Sequence, residues 1–111
     1  MSFKVLPTPF FEREAKPLIR KYPSLIKELL RLNDLLAEDP RQGTPIANHC
    51  YKIRLAIKSK GVGKRGGARI VTCVIAVQQT VLLLSIYDKS DQQDISNQEI
   101  ERRLTNYLNE L

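Results

Sequence analysis

The chain has 111 residues, 42% of them hydrophobic and 27% charged, which suits a soluble globular protein with one modest core, so residues 1–111 read as a single domain. Its net charge is +6 and its sequence pI about 9.6. No apolar run approaches the roughly 18 residues of a membrane span, and MSFKVLPTPF lacks the apolar stretch of a signal peptide, so the expected location is the cytoplasm.

Phe3 to Leu6 is a short strand candidate, stopped by Pro7. Thr8-Pro9 reads as an N-cap followed by proline at the first helical position. The helix so opened carries Phe10, Phe11, Leu18 and Ile19, and Pro17 is expected to kink or divide it. Ser24 caps a second helix, in which Leu25, Leu29, Leu32 and Leu36 recur at helical spacing. A stripe this short is a core-facing side rather than a zipper seam. Pro40 and Gly43 end it. His49, the only histidine, reads as a surface residue. Cys50 and Cys73 are too few for a disulfide framework and lack metal spacing, so they read as free thiols in or near strands.

The period then changes to two. Tyr51, Ile53, Leu55 and Ile57 share one face of a strand, while Lys52, Arg54 and Lys58 share the other. Ala68 to Val77 is nearly all apolar and β-branched, as expected of a central strand. Gln78 to Thr80 is a turn, and Val81 to Tyr87 is a third consecutive strand. Short connections make these three an antiparallel meander. Ser96-x-x-Glu99 matches a capping box, opening a last helix that carries Ile100, Leu104, Tyr107, Leu108 and Leu111. The expected fold is α+β: a small twisted, mostly antiparallel sheet in the order strand–helix–helix–three strands, with a C-terminal helix. The two N-terminal helices cover one face, leaving the other for a ligand.

Charge is unevenly spread. Pro40 to Tyr87 holds eight of the 18 Lys and Arg residues and no Asp or Glu, leaving ten basic residues against all 12 acidic ones elsewhere. The whole positive excess thus sits mid-chain, the footprint of a polyanion site. Part of it lies in KGVGKRGGAR, residues 60–69, whose Gly61-x-Gly63-x-x-Gly66 matches a dinucleotide-binding loop. That loop must open a helix, whereas this one opens a strand. A kinase glycine loop does join strands, but no HRD or DFG motif is present. What remains is a hairpin loop carrying Lys58, Lys60, Lys64 and Arg65, suited to neutralising RNA phosphates.

The combination YKIRLAIKSKG…GGARIV…LLLSIYDKSD resembles the RelE/ParE superfamily of bacterial toxin–antitoxin toxins, most of all its HigB/RelE-like branch. The resemblance runs from about Phe3 to Ile100. It implies a ribosome-dependent endoribonuclease that cuts mRNA in the A site, inhibits translation and is blocked by a cognate acidic antitoxin. The family's basic strand residues fall on Lys52 and Arg54, its arginine at the start of the next strand on Arg69, and the basic residue after the last strand on Lys89. Where family members often place a further arginine and a catalytic tyrosine, this chain has Ser90 and Ile95. Tyr87 lies nearby. The ParE-like branch implies a different outcome, inhibition of DNA gyrase, and a plain RNA-binding module would need the same cations.

Cleavage of RNA by its own 2′-hydroxyl requires a base, stabilisation of a dianionic phosphorane and protonation of the leaving oxygen. One histidine cannot supply a two-histidine mechanism, and the basic segment has no acidic cluster for two-metal catalysis. The expected reaction therefore uses cations and no metal or other cofactor. Arg69 grips the scissile phosphate. Lys52, crowded by like charge, is a candidate general base. Arg54 and Lys89 stabilise charge or the leaving group, and Tyr87 stacks on a base or shuttles a proton. Arg69 is expected on the solvent face of its strand.

Overall fold

The structure, a computed structural model, describes residues 2–47, 49–58, 66–92 and 94–110. In chain order it contains β1 (Lys4–Pro7), α1 (Pro9–Lys21), α2 (Leu25–Glu38), β2 (Thr44–Pro45), β3 (Cys50–Leu55), β4 (Ala68–Ile75), a 3-10 turn (Ala76–Gln78), β5 (Thr80–Asp88) and α3 (Asn97–Asn109). The sheet runs β1-β5-β4-β3-β2. The β3–β4–β5 meander is antiparallel, as are β2 and β3, whereas β1 lies parallel to β5. The fold is thus α+β with a mostly antiparallel sheet and a C-terminal helix. The two-residue β2 was not apparent from the sequence. Among the described residues no helix is long and apolar enough to cross a membrane.

Local signals placed most helix ends. Thr8 Oγ accepts from the Phe11 amide at 3.3 Å, and Ser96 Oγ from the Glu99 amide at 3.1 Å. Only half of the capping box forms, because the Glu99 carboxylate turns to Arg102 and Arg103 instead. Ser24 sits at the N-cap of α2 without a side-chain capping bond. Pro17 does not divide the helix but stays inside one continuous α1. Its ring lies on the exposed side, as does Arg13, so the carbonyl deprived of a helical donor is within reach of water.

Each sheet face has its own apolar cluster. On one, Phe11, Ala15, Leu18, Leu25, Leu32 and Leu36 of α1 and α2 pack on Ile53, Leu55, Ile70, Val81 and Leu83. On the other, Cys50, Val71, Cys73, Leu82 and Leu84 pack beneath Ile95 and Ile100, with Leu104 and Tyr107 partly buried against them. The second face is therefore shared: α3 covers one part and leaves the part near Arg54, Arg69 and Tyr87 to a cleft. Past the end of β1, Arg103 donates to the Leu84 carbonyl at 3.0 Å and to Glu14 Oε1 at 2.8 Å. Glu14 Oε1 also accepts from Ser85 Oγ at 3.0 Å. These bonds satisfy the edge of β5 that lies beyond the reach of β1, and tie α3 to α1.

Two glycines permit close approach. Gly43, at φ 90°, presses on the Lys52 carbonyl, where a Cβ would clash. Gly67 lies against the Leu55 carbonyl with equally little room, which accounts for one glycine of the GGAR segment by packing rather than by a bound nucleotide.

Candidate functional site

β3 alternates Cys50, Lys52 and Arg54 toward the second face and Ile53 and Leu55 toward the helices, as period two requires. In register, Lys52 faces Val71 and Arg54 faces Arg69, and Arg69 in turn faces Tyr87 on β5. A register shift between Val71 and Thr72 interrupts the β4–β5 ladder beside this row, and the hydroxyl of Thr72 is buried there with no hydrogen-bond partner among the described residues.

The turn after β5 completes the site. Asp88 is buried; its Oδ2 accepts from Tyr22 Oη at 2.9 Å and its Oδ1 from the Ser90 amide at 2.9 Å. The Lys89 amide donates to the Gly67 carbonyl at 3.0 Å. Lys89 is thereby held beside the start of β4. Farther on, buried Ile95 anchors the loop against the second cluster and brings Asp94 over the sheet. Asp94 Oδ1 meets three donors: Lys52 Nζ at 2.6 Å, Tyr87 Oη at 3.2 Å and the Ile95 amide at 2.8 Å.

The outcome is a cleft of about 430 Å³ lined by Thr44, Ile46, Lys52, Arg54, Arg69, Tyr87, Lys89 and Asp94. All five residues expected to be catalytic meet there. A larger groove of about 650 Å³ between α2 and β3 shares Thr44, Lys52 and Arg54, but is lined by neither Arg69 nor Tyr87. Of the expected RNA-binding residues, Lys58 is exposed just past β3, while Lys60, Lys64 and Arg65 lie outside the described residues.

Three local expectations change. Arg69 is only 5% exposed, so it is not a solvent-face residue: a strand between two others loses most of its exposure to neighbours on both sides. Lys52 is not surrounded by cations alone, since Asp94 lies beside it. Tyr87 is buried, at 4% exposure, yet its hydroxyl reaches Asp94. Burial and then the Asp94 charge push the Tyr87 phenol up to about 12, so it is protonated near neutral pH. Lys52 in turn holds the Asp94 carboxyl below the ordinary carboxylate range, which keeps it charged. Asp94 was missed because it lies 42 positions from Lys52 in a polar loop; a loop acid just before an apolar anchor was the only signal. Among the described residues no group of three or more His, Cys, Asp or Glu side chains is placed to hold a metal ion.

Chemically, the cleft offers charged and neutral donors to an anion, with one carboxylate among them. No protein-family model matches the sequence, and no curated protein is detectably similar to it. Solved structures are similar in fold. A double arginine-to-alanine variant of the E. coli toxin RelE in the free state superimposes with a TM-score of 0.59 at 20% identity, covering 96% of this chain and 98% of that one. The isolated E. coli RelE toxin gives 0.53 at 24% identity, covering 93% and 99%. A chain of the toxin–antitoxin complex RelBE2 from Mycobacterium tuberculosis gives 0.57 at 18% identity, covering 79% and 99%. The chain has the RelE fold.

Proposed function

We propose that this protein is the toxin of a type II toxin–antitoxin pair, of the HigB/RelE-like branch, and that it cuts mRNA in the ribosomal A site without a metal ion. One observation carries the reading: Lys52, Arg54, Arg69, Tyr87 and Lys89 line a single cleft on a RelE-like fold. Residues 1–111 form the one toxin domain, acting in the cytoplasm. An acidic antitoxin is the partner, supplying an amphipathic helix whose charge complements the cleft.

The scissile phosphate sits between Arg54 and Arg69, whose guanidinium groups stabilise the charge that develops in the phosphorane. Its negative charge competes with Asp94 for Lys52. Lys52 passes its ammonium proton to Asp94 and, as the free amine, takes the proton of the 2′-hydroxyl, whose oxygen attacks phosphorus in line with the 5′ leaving oxygen. Tyr87, a phenol that stays protonated at neutral pH, serves as a donor and not as the base. Lys89 neutralises the departing alkoxide.

Translating ribosomes carrying a defined mRNA test this directly. The protein should produce cuts at A-site codons with 2′,3′-cyclic phosphate ends, and EDTA should leave the chemical step unaffected once ribosome integrity is controlled. Gyrase trapped on DNA with mRNA intact would assign the chain to the ParE-like activity. Tight RNA binding with no broken bond would make it a binding module.

A further inference from the structure

Cys50 on β3 and Cys73 on β4 are direct cross-strand partners. The Val74 amide donates to the His49 carbonyl at 3.0 Å, while the Cys50 amide donates to Ala47 and the Cys50 carbonyl accepts from Ile46. The ladder bond therefore flanks the two cysteines and does not join them. Such a non-hydrogen-bonded pair brings Cα atoms to about 4.5 Å, with side chains closer than at other positions. Disulfides span Cα separations of about 4.4 to 6.8 Å, so this pair can be bridged without moving either strand. Both are buried thiols not joined in a disulfide, and they share a hydrogen bond that favours charge on the Cys73 sulfur and opposes it on Cys50.

The two sulfurs differ in access. A cleft of about 400 Å³ beside α3, lined by Arg41, His49, Cys73, Leu104 and Leu108 among others, reaches Cys73. Cys50 does not line it. A small polar oxidant entering there meets Cys73 first.

We propose that Cys50 and Cys73 form a redox-active dithiol that closes to an intrachain disulfide when the protein meets hydrogen peroxide. The Cys73 thiolate attacks one peroxide oxygen, the O–O bond breaks, and the departing hydroxide takes up the proton that Cys73 released, giving water and a sulfenic acid. The Cys50 thiol then attacks the Cys73 sulfur, its proton joining the expelled hydroxyl as a second water. Two thiols are oxidised and one peroxide is reduced to two waters. The bond fastens β3 to β4 one alternation from Lys52 on the same sheet face.

The test uses the native full-length protein and needs no enzymatic activity, so its outcome is independent of the proposed nuclease function. After brief exposure to hydrogen peroxide and quenching with an alkylating agent, the intact monomer should lose the mass of two hydrogen atoms and both alkylatable thiols. Dithiothreitol should restore them, and peptide mapping should join Cys50 to Cys73. Cys50→Ser should stop at a sulfenic acid on Cys73, trapped by dimedone, and Cys73→Ser should give neither product. Wild-type protein that keeps both thiols at peroxide levels oxidising free glutathione would overturn the proposal. So would wild-type protein that forms only intermolecular dimers or sulfinic acids.

Discussion

Arg54 and Arg69 stand opposite each other on β3 and β4, two positive charges at a site of closest cross-strand approach. The alternation set by the flanking Val74–His49 bond makes theirs a non-hydrogen-bonded pair, like Lys52–Val71 between them. Like charges so placed oppose folding unless an anion intervenes. Inorganic phosphate or a short RNA should therefore raise the thermal midpoint of the wild type in a salt-sensitive way. Arg54→Gln should be as stable as wild type or more so without ligand, by up to about 1 kcal/mol, and should lose most of the gain from phosphate. A variant less stable than wild type, with its phosphate response intact, would show that the pair does not form the anion site.

Arg69 combines burial with a catalytic assignment, so its replacement has two separable effects. Arg69→Ala should lower ribosome-dependent cleavage by roughly a hundredfold, because a donor aimed at developing charge is lost. It should also cost about 1–2 kcal/mol, because a buried aliphatic stem is removed. Arg69→Lys keeps most of that stem and should recover stability while recovering little cleavage, since a point charge does not reproduce a two-pronged grip. Chemical denaturation and single-turnover cleavage of the same preparations separate the two. Near-normal cutting by the alanine variant would reduce Arg69 to a packing residue.

Asp94 holds Lys52 and Tyr87 through one oxygen. Asp94→Asn should bring the Tyr87 phenol down from about 12, readable by NMR of ring-labelled tyrosine with Tyr87→Phe as the assignment control. Because this carboxylate is largely exposed, its ion pair adds little to stability, and the variant should fold within about 1 kcal/mol of wild type. Cleavage should fall by about tenfold as Lys52 loses the acceptor for its ammonium proton. An unmoved Tyr87 titration would refute the contact.

Glu99 sits between Arg102 and Arg103, whose hydrogen bonds and charge hold its carboxyl down at about 2, below the ordinary 4.5. A depressed folded-state pKa contributes stability above the unfolded value and loses it as pH falls through the folded one. The stability that Glu99 lends the first turns of α3 should therefore be lost between about pH 4.5 and pH 2. Thermal midpoints measured across that window should fall more steeply for wild type than for Glu99→Gln, which has no such proton to take up. Parallel slopes would place the acid sensitivity elsewhere.

Much of the fold was legible because its signals are local. Thr8 and Ser96 mark helix starts through bonds spanning three residues, the leucines of α2 declare their buried side by helical spacing, and β3 puts Lys52 and Arg54 on one face by alternation alone. What the sequence by itself determined was thus the kind of each main element, the side it buries, and a mid-chain concentration of positive charge facing away from the two N-terminal helices. Only the tertiary structure decided which residues meet. Strand register and loop closure join positions far apart in the chain: Arg54 with Arg69 and Cys50 with Cys73, Lys52 with Asp94 across 42 positions, Glu14 with Arg103 across 89. The parallel placement of β1 against β5 and the burial of Arg69 are of the same kind. Periodicity records how a segment faces water, whereas these contacts depend on how separate segments pack against one another, and no single segment carries that information.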